Sequence, residues 1–305
     1  MFAKHHYREE AGYLELMQDI LDYGCRLPDR TGEGRIKLFS CTLEYDLSVG
    51  VPAATVRNNP FRFSFEEFWA FLNGIVHIHP YLSAKGINIW EGNTTREFLD
   101  NNKLHYLPEG HMGKAYGFQY AHFDGEYDED YNPKGGVDQI AEVFKELREK
   151  PFSSRHVVSI WNPSQLAEMA LPPCWWAHEF LVTVGDEGNK VLNLQAISRS
   201  ADVLFGTPFN VQQFAIYLCA MADALGYKRG SLSCLLVDAH LYFNQENYVK
   251  ETLTRDFSGD KPTLTFKKKL ECIDDIRALT WDDIELGDYR VNKSPYVEKR
   301  PPMAA

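Results

Sequence analysis

The stretch NVQQFAIYLCAMADALGY, residues 210–227, decides the fold of this 305-residue chain. Its side chains are apolar on nearly every side at helical spacing, and a helix without a polar face is buried inside a protein. Gly226 follows the last periodic residue and predicts where the helix ends. The rest of the chain must therefore supply the elements that surround this helix.

Segments on both sides of this helix read as buried strands. They are RHVVSIWNP (155–163), KVLNLQAIS (190–198) and SLSCLLVDAHLYF (231–243). The stretch GRIKLFSCTLEYDL (34–47) alternates apolar and polar residues, which predicts a pair of strands.

Further helices are predicted by apolar residues at helical spacing. They cover residues 9–24, 64–74, 137–150 and about 245–255. In the second of them, Ser64 is a plausible N-cap and Gly74 a plausible stop. Strands and helices alternate irregularly, which predicts an α+β fold with a sheet covered by helices, in one domain over residues 1–305. Residues 287–305 form a proline-rich, extended tail, for which a frayed end is the simplest reading.

Composition excludes several classes of function. The formal net charge of −11 argues against a nucleic-acid-binding protein, which needs clustered Lys and Arg. No stretch has the ~18–20 apolar residues that a membrane span needs, and the N-terminus is too polar for a signal peptide. The six cysteines are scattered without a CxxC pair. We therefore expect no disulfide scaffold and no metal site, and a cytoplasmic location.

Cys174 lies in ALPPCWWAHEF (170–180), behind two prolines and in front of two tryptophans. A single cysteine is most often a small buried apolar residue. Two prolines stiffen the approach to this one, and a reactive thiol also needs a cation nearby. Arg199, in SRSAD, lies on what reads as the next strand, so antiparallel pairing would bring it beside Cys174.

Other polar residues have a structural and a functional reading. Asn210, in GTPFN, is either a helix N-cap or an amide that reads O4 and N3–H of a pyrimidine. His240 and Tyr242 are two apart on a strand, so they face one way and form either a core pair or a sugar-binding pair. Arg30, in PDRTGEG, is either an exposed turn residue or an anion ligand. Glu67 is either solvated or a general acid/base among aromatic residues.

Together and in this order, the motifs of this chain resemble those of the thymidylate synthase family. The segments that carry the resemblance run from about residue 12 to the last residue, and they are DRTG, SFEEFWAFLNG, SAKGINIWEGNTTREFLD, GKAYGFQY, WNPSQLAEMALPPC, SRSADVLFGTPFN, DAHLYFN and the final MAA. The resemblance implies a large mixed sheet with covering helices and a homodimer formed through the sheet. It also implies one-carbon transfer from 5,10-methylenetetrahydrofolate to C5 of a uracil nucleotide, dUMP.

The resemblance also implies a role for each site residue. Cys174 would add to C6 of the base, Glu67 would relay protons around O4, and Tyr116 would order the water that removes the C5 proton. The remaining assignments are the base reader Asn210, the nucleotide ligands Ser200, His240 and Tyr242, the phosphate ligands Arg30, Arg199 and (from the partner subunit) Arg155, and the folate contacts Trp90, Leu171, Asp202 and the tail residue Ala305.

Asn210 decides the expected base, because the cytosine-specific branch that resembles this family has Asp at this place. Other positions depart from the family pattern, and we expect them to surround the nucleotide and the reacting carbon: His111, Lys114, Ala121, His156, Trp175 and Ser198. An altered surrounding could admit water to the transferred carbon, which favours a 5-hydroxymethyl product. An ordinary methylating enzyme is the first alternative, and a catalytically silent nucleotide-binding scaffold is the second.

Overall fold

The central helix forms where its apolar sequence places it. A computed structural model describes residues 4–29 and 32–301, and in it helix α7 covers Gly206–Leu225. Most of its side chains are buried, and Gly226 ends it in the left-handed conformation with φ 70°. The predicted buried helix and its end are therefore confirmed.

Eight strands form one mixed sheet in the described part of the chain. Its path runs β1, β3, β10, β8, β7, β6, with β2 paired to β3 and β9 to β10. These strands are β1 His6–Arg8, β2 Cys25–Leu27, β3 Arg35–Asp46, β6 Val157–Ser159, β7 Trp175–Val184, β8 Lys190–Ser198, β9 Ala201–Asp202 and β10 Lys228–Tyr242. The pairs β1–β3, β8–β10 and β9–β10 are parallel and the other pairs antiparallel. The predicted α+β fold with a large mixed sheet is confirmed.

Helix α1, Glu9–Tyr23, and helix α7 pack on one face of this sheet, α1 against β3 and α7 against β8 and β10. The other helices are α2 Phe61–Leu72, α3 Ile78–Ser83, α4 Arg96–Asn101, α5 Tyr116–Ala121, α6 Gln139–Glu149, α8 Glu246–Leu253 and α9 Ile273–Arg277. Two short hairpins complete the structure, formed by β4 Glu126–Tyr127 with β5 Pro133–Lys134 and by β11 Leu264–Phe266 with β12 Ile284–Leu286.

The opposite face of the sheet leaves apolar side chains exposed. Val157 on β6 is 50% exposed, Leu181 on β7 is 50% exposed and Phe39 on β3 is 76% exposed. Isolated exposed apolar residues are ordinary, but several on one sheet face indicate a surface that another molecule covers.

Two local predictions were wrong. Residues 34–47 do not form a strand pair, because β3 is one strand with a kink at Ser40, where φ is 59° and the pairing with β10 skips one residue on each side. Ser64 is not an N-cap, because α2 already begins after Pro60, whose fixed φ suits the start of a helix. Ser64 lies inside the helix and donates a hydrogen bond to Gln212 Oε1 at 2.9 Å.

The extended tail is held against the protein as far as residue 301. The ring of Tyr296 stacks on Tyr248 with 4.0 Å between centroids, and the Arg255 guanidinium lies 4.1 Å from the Tyr296 ring. The Glu251 carboxylate accepts the backbone N–H groups of Val297 and Glu298, each at 2.8 Å. A frayed end is therefore wrong for this part of the tail.

Candidate active site

The thiol-bearing residue lies where β7 begins. The backbone N–H of Arg199, just after β8, donates to the carbonyl of Cys174 at 2.9 Å. The Arg199 guanidinium donates from Nε to Pro173 O and from Nη2 to Pro172 O, each at 2.9 Å. The predicted pairing is thus confirmed, and the arginine also fixes the proline segment. Cys174 itself is half-buried.

Tyr116, the first residue of α5, connects Cys174 to the aromatic interior. Its hydroxyl oxygen accepts the backbone N–H of Cys174 at 2.9 Å. Its ring stacks on Phe71 at 4.8 Å and meets the edge of Trp90 at 5.9 Å. Burial raises the pKa of Tyr116 well above its ordinary value, so the phenol stays neutral and can both donate and accept.

The next residue, Gly117, sets how closely α5 approaches the rest of the site. A Cβ at this position would lie 2.5 Å from the carbonyl oxygen of Ile75, which is backbone and cannot move aside easily. We expect Gly117→Ala to lower the free energy of unfolding by about 1–3 kcal/mol and to lower kcat, because α5 carries Tyr116. Urea unfolding measures the first effect. Gly92→Ala is the control, since nothing lies within 4 Å of its Cβ position, and an equal loss in both variants would contradict the prediction.

Glu67 on α2 accepts hydrogen bonds at both carboxylate oxygens. Trp90 Nε1 donates to Oε1 at 2.6 Å, and Gln213 Nε2 donates to Oε2. Burial raises the pKa of Glu67 to about 7, although the two hydrogen bonds oppose the shift. A carboxyl that titrates near neutral pH is suited to carry protons in catalysis.

Asn210 belongs to the same network. It is not a helix N-cap, because α7 begins four residues earlier, at Gly206, and Asn210 lies in the second turn. Its Nδ2 donates to Gln213 Oε1 at 2.9 Å. Asn210, Gln213, Glu67 and Trp90 thus form one continuous chain of hydrogen bonds.

A cleft of about 740 Å³ opens beside this chain. Glu67, Trp90, Leu171 and Asn210, four of the predicted site residues, line it. Its other lining residues are mostly apolar or cationic: Arg57, Asn58, Pro60, Phe63, Ile89, Asn93, Phe205, Gly206, Phe209, Arg300 and Pro301. The tail therefore reaches the cleft, where Arg300 lies over the Phe205 ring at 4.8 Å. Aromatic walls beside amide, carboxyl and guanidinium groups suit a flat heterocyclic ligand with polar edges.

Asp202 lies just before α7, next to the cleft residue Gly206. Its Oδ1 accepts the backbone N–H groups of Leu204 and Phe205, each at 3.1 Å, and both oxygens lie 3.3 Å from Gln245 Nε2. Burial raises the pKa of Asp202. The carboxylate therefore organises the turn into α7 and keeps accepting capacity at Oδ2.

Ser200, His240 and Tyr242 gather around the side chain of Arg35. The rings of His240 and Tyr242 meet edge to face at 5.2 Å, which confirms that they share one face of β10. Arg35 joins them: its Nη1 lies 3.4 Å from Ser200 Oγ, and its guanidinium lies 5.0 Å from the Tyr242 ring. Asp29 holds Arg35 through an ion pair of 2.8 Å.

Arg155 stands apart from the other predicted site residues that the structure describes. Arg155 is exposed, two residues before the outward-facing Val157 of β6. Arg30 and Ala305 lie outside the described residues.

None of the departures from the family pattern is among the residues that line the cleft, and most of them are held by local contacts. His156 is buried and bonds the carbonyl of Lys150 through Nε2 at 3.1 Å, so it is not presented to a phosphate. Ala121 packs beside Gly74, at the end of α2. Lys114 is buried between the carboxylates of Glu126 and Glu168, at 3.0 and 3.1 Å.

The other departures are also held by local contacts. Buried His111 accepts the Gly113 N–H at Nδ1, 2.9 Å away, and donates from Nε2 to Tyr131 O. Ser198 bonds the carbonyl of Ser200. Trp175 alone is next to Cys174, and its ring is buried 5.3 Å from Phe214.

Sequence reasoning missed Arg35 and Gln213. Gln213 lies three residues after Asn210 on a predicted helix, and that spacing places two side chains side by side. Arg35 is paired with Tyr242 across β3 and β10, and this register depends on a contact across more than 200 residues.

The site combines a thiol, a carboxyl that titrates near neutral pH and an amide beside an aromatic cleft. Such a set suits an enzyme that attacks a planar heterocycle covalently and moves protons around it. Among residues 4–29 and 32–301 no group of three or more His, Cys, Asp or Glu could hold a metal ion. None of the helices in these ranges has the length and apolar character that a bilayer crossing needs.

Comparison with known proteins gives the particular family. The thymidylate synthase profile matches residues 11–299, and the chain belongs to this family. It is 37% identical over 300 residues to the thymidylate synthase of Ascaris suum, covering 97% of both chains, and 34% identical over 282 residues to that of varicella-zoster virus, covering 92% of this chain and 90% of the relative. It is 35% identical to a putative bifunctional dihydrofolate reductase-thymidylate synthase of Oryza sativa, of which it spans 50%.

Membership of this family gives the general chemistry. The chain is a folate-dependent one-carbon transferase of nucleotide biosynthesis, with methylenetetrahydrofolate as co-substrate and dUMP as acceptor.

Proposed function

We propose that the chain is a methylating thymidylate synthase, which converts dUMP to dTMP as one catalytic domain of a cytoplasmic homodimer. The position of Trp175 supports a methyl product over a hydroxymethyl product. This residue was the departure closest to the thiol, and its ring turns into the core instead of adding a polar, water-holding space. The cleft that Glu67 lines includes the apolar side chains of Phe63, Ile89, Trp90 and Phe209, and dry, apolar surroundings favour transfer of hydride.

Cys174 is the proposed nucleophile. Its thiolate adds to C6 of the uracil ring and the electron pair moves toward C5 and O4, which makes C5 reactive. After the one-carbon unit is attached, a water held by the Tyr116 hydroxyl accepts the C5 proton, and the thiolate leaves. Glu67 carries the proton at O4. When bound, the folate supplies the one-carbon unit and the hydride that reduces it.

The cleft fits the folate by its size and its walls. Trp90 and Leu171 offer apolar surface to a flat pterin, and the free capacity of Asp202 Oδ2 suits a pterin N–H donor. Arg57 and Arg300 place positive charge at the cleft, where a carboxylate of the co-substrate would be held. Ala305, at the end of the tail, is proposed to close over the bound folate.

The nucleotide is proposed to lie between Cys174 and the end of β10. Asn210 reads the base, while Ser200, His240 and Tyr242 bind the nucleotide. Arg30 and Arg199 bind the phosphate together with Arg155 of the partner subunit, and Arg35 adds a fixed cation next to Ser200. The exposed apolar face of the sheet and the outward Arg155 support a dimer in which this face is shared.

Mixing two inactive variants tests whether each subunit donates Arg155 to the site of its partner. Cys174→Ala and Arg155→Ala proteins are expected to be inactive alone, because each site lacks one essential group. Mixed dimers contain one site with both groups intact, so randomised mixing should restore about a quarter of the wild-type activity. Leu181→Asp, which charges the shared face, should give monomers in analytical ultracentrifugation. No recovery on mixing, with dimers present, would contradict the donation of Arg155.

The mass of the nucleotide product tests the proposed reaction. With dUMP and methylenetetrahydrofolate we expect dTMP and an equal amount of dihydrofolate, followed by its absorbance. A product heavier by one oxygen, formed without dihydrofolate, would show the hydroxymethyl reaction instead.

A further inference from the structure

We propose that Gln213 is a positioning residue that fixes the orientation of the Asn210 amide and thereby makes the site prefer uracil to cytosine. This inference rests on the proposed function, in which Asn210 reads the base. Gln213 itself is 2% exposed and lies behind Asn210, one helical turn further along α7.

The direction of the hydrogen bonds is set at Trp90. An indole N–H can only donate, and an ionised carboxylate can only accept. Above about pH 7, where Glu67 is ionised, its carboxylate therefore accepts from Trp90 at Oε1, and its Oε2 must meet a donor as well.

The orientation of the Gln213 amide in turn sets the orientation of the Asn210 amide. Its amide must turn Nε2 toward Glu67, because Oε1 would face a second acceptor there. Oε1 then faces Asn210, which has to supply Nδ2 as the donor, and the distance between these atoms is 2.9 Å. A reversed Asn210 would bring two oxygens together in a buried place.

The orientation of Asn210 matches one base only. With one N–H used on Gln213, the amide offers its second N–H and Oδ1 to the cleft. These groups complement O4 and N3–H of uracil. Cytosine presents the opposite order, an N4 amino donor and an N3 acceptor, and could pair only with the reversed amide.

Replacing Gln213 with leucine tests the proposal, because leucine keeps much of the side-chain volume and removes both hydrogen bonds. Binding of dUMP and of dCMP is measured by calorimetry at pH 8 without folate, so that chemistry plays no part. We expect the ratio of the two affinities to fall about tenfold, since the free amide can turn to either base.

Gln212→Leu is the matched control. Gln212 is also a buried amide of α7, but it bonds Asn59 and Ser64 instead of Asn210. Its loss should lower the melting temperature and leave the dUMP-to-dCMP ratio unchanged. An equal fall in the ratio in this control would assign the effect to general loosening and overturn the proposal.

Glu67→Gln provides a second test that keeps the size of the network. Trp90 still donates, so the new amide must place its oxygen toward Trp90 and its nitrogen toward Gln213. Gln213 and then Asn210 would reverse, and the preference should shift toward dCMP by about tenfold or more. If wild-type protein makes dTMP but Gln213→Leu and Glu67→Gln keep the full preference for dUMP, this inference is wrong and the proposed function stands. If wild-type protein does not bind dUMP, both fail.

Discussion

Replacing Cys174 with serine lowers kcat by about 10⁴-fold or more, because a hydroxyl is not ionised at neutral pH and cannot replace a thiolate. The same substitution abolishes the covalent complex with 5-fluoro-dUMP and methylenetetrahydrofolate. In wild-type protein this complex should persist, since the fluorine at C5 cannot leave as a proton does. Mass spectrometry of the intact protein detects the adduct.

Cys25→Ser is the control for this prediction. Cys25 is an exposed thiol on β2, away from the proline segment, and its loss should leave both the rate and the adduct intact. An adduct that survives in Cys174→Ser would place the nucleophile elsewhere. Absence of any adduct in wild-type protein would favour a nucleotide-binding scaffold without catalysis.

Replacing Glu67 with glutamine lowers kcat by about 10²–10⁴-fold, because the amide cannot carry a proton. In wild-type protein the profile of kcat against pH should bend near pH 7, where this carboxyl titrates. The residual activity of the variant should lack this bend. A variant profile that keeps the bend would assign it to another group.

The same carboxyl affects stability with a definite sign. Burial raises the pKa of Glu67 from 4.5 to about 7, so between these values the folded protein holds a proton that the unfolded chain has lost. Its contribution to the free energy of unfolding therefore falls as pH rises from about 4.5 to about 7. The difference between the wild-type and Glu67→Gln pH profiles isolates this contribution. A difference that is flat over this range would contradict the raised pKa.

Patterns within one element were readable from the sequence. The apolar character of α7 and the glycine after it are local features, so the central helix and its end could be predicted. The pairing of Cys174 with Arg199 was also predictable, because two neighbouring strands with a short connection pair antiparallel.

Features that depend on contacts between distant parts of the chain could not be predicted from the sequence. β3 continues as one strand through the kink at Ser40 because β10 pairs with both of its halves. No turn residue in the sequence marks the kink. Helix α2 begins after Pro60 and not at Ser64. The burial of His156 against Lys150 depends on how β6 packs. The sequence therefore could not show that this side chain points into the protein.

Arg199 and the two prolines before Cys174 depend on each other. Pro172 and Pro173 have no backbone N–H, so this segment cannot extend the ladder of β7, and Arg199 binds the two carbonyls from its own side chain. Lysine would keep the charge but lose the planar fork that reaches both oxygens. Across diverged relatives, the proline pair and the guanidinium should therefore be inherited as one unit, each lost only when the other is lost.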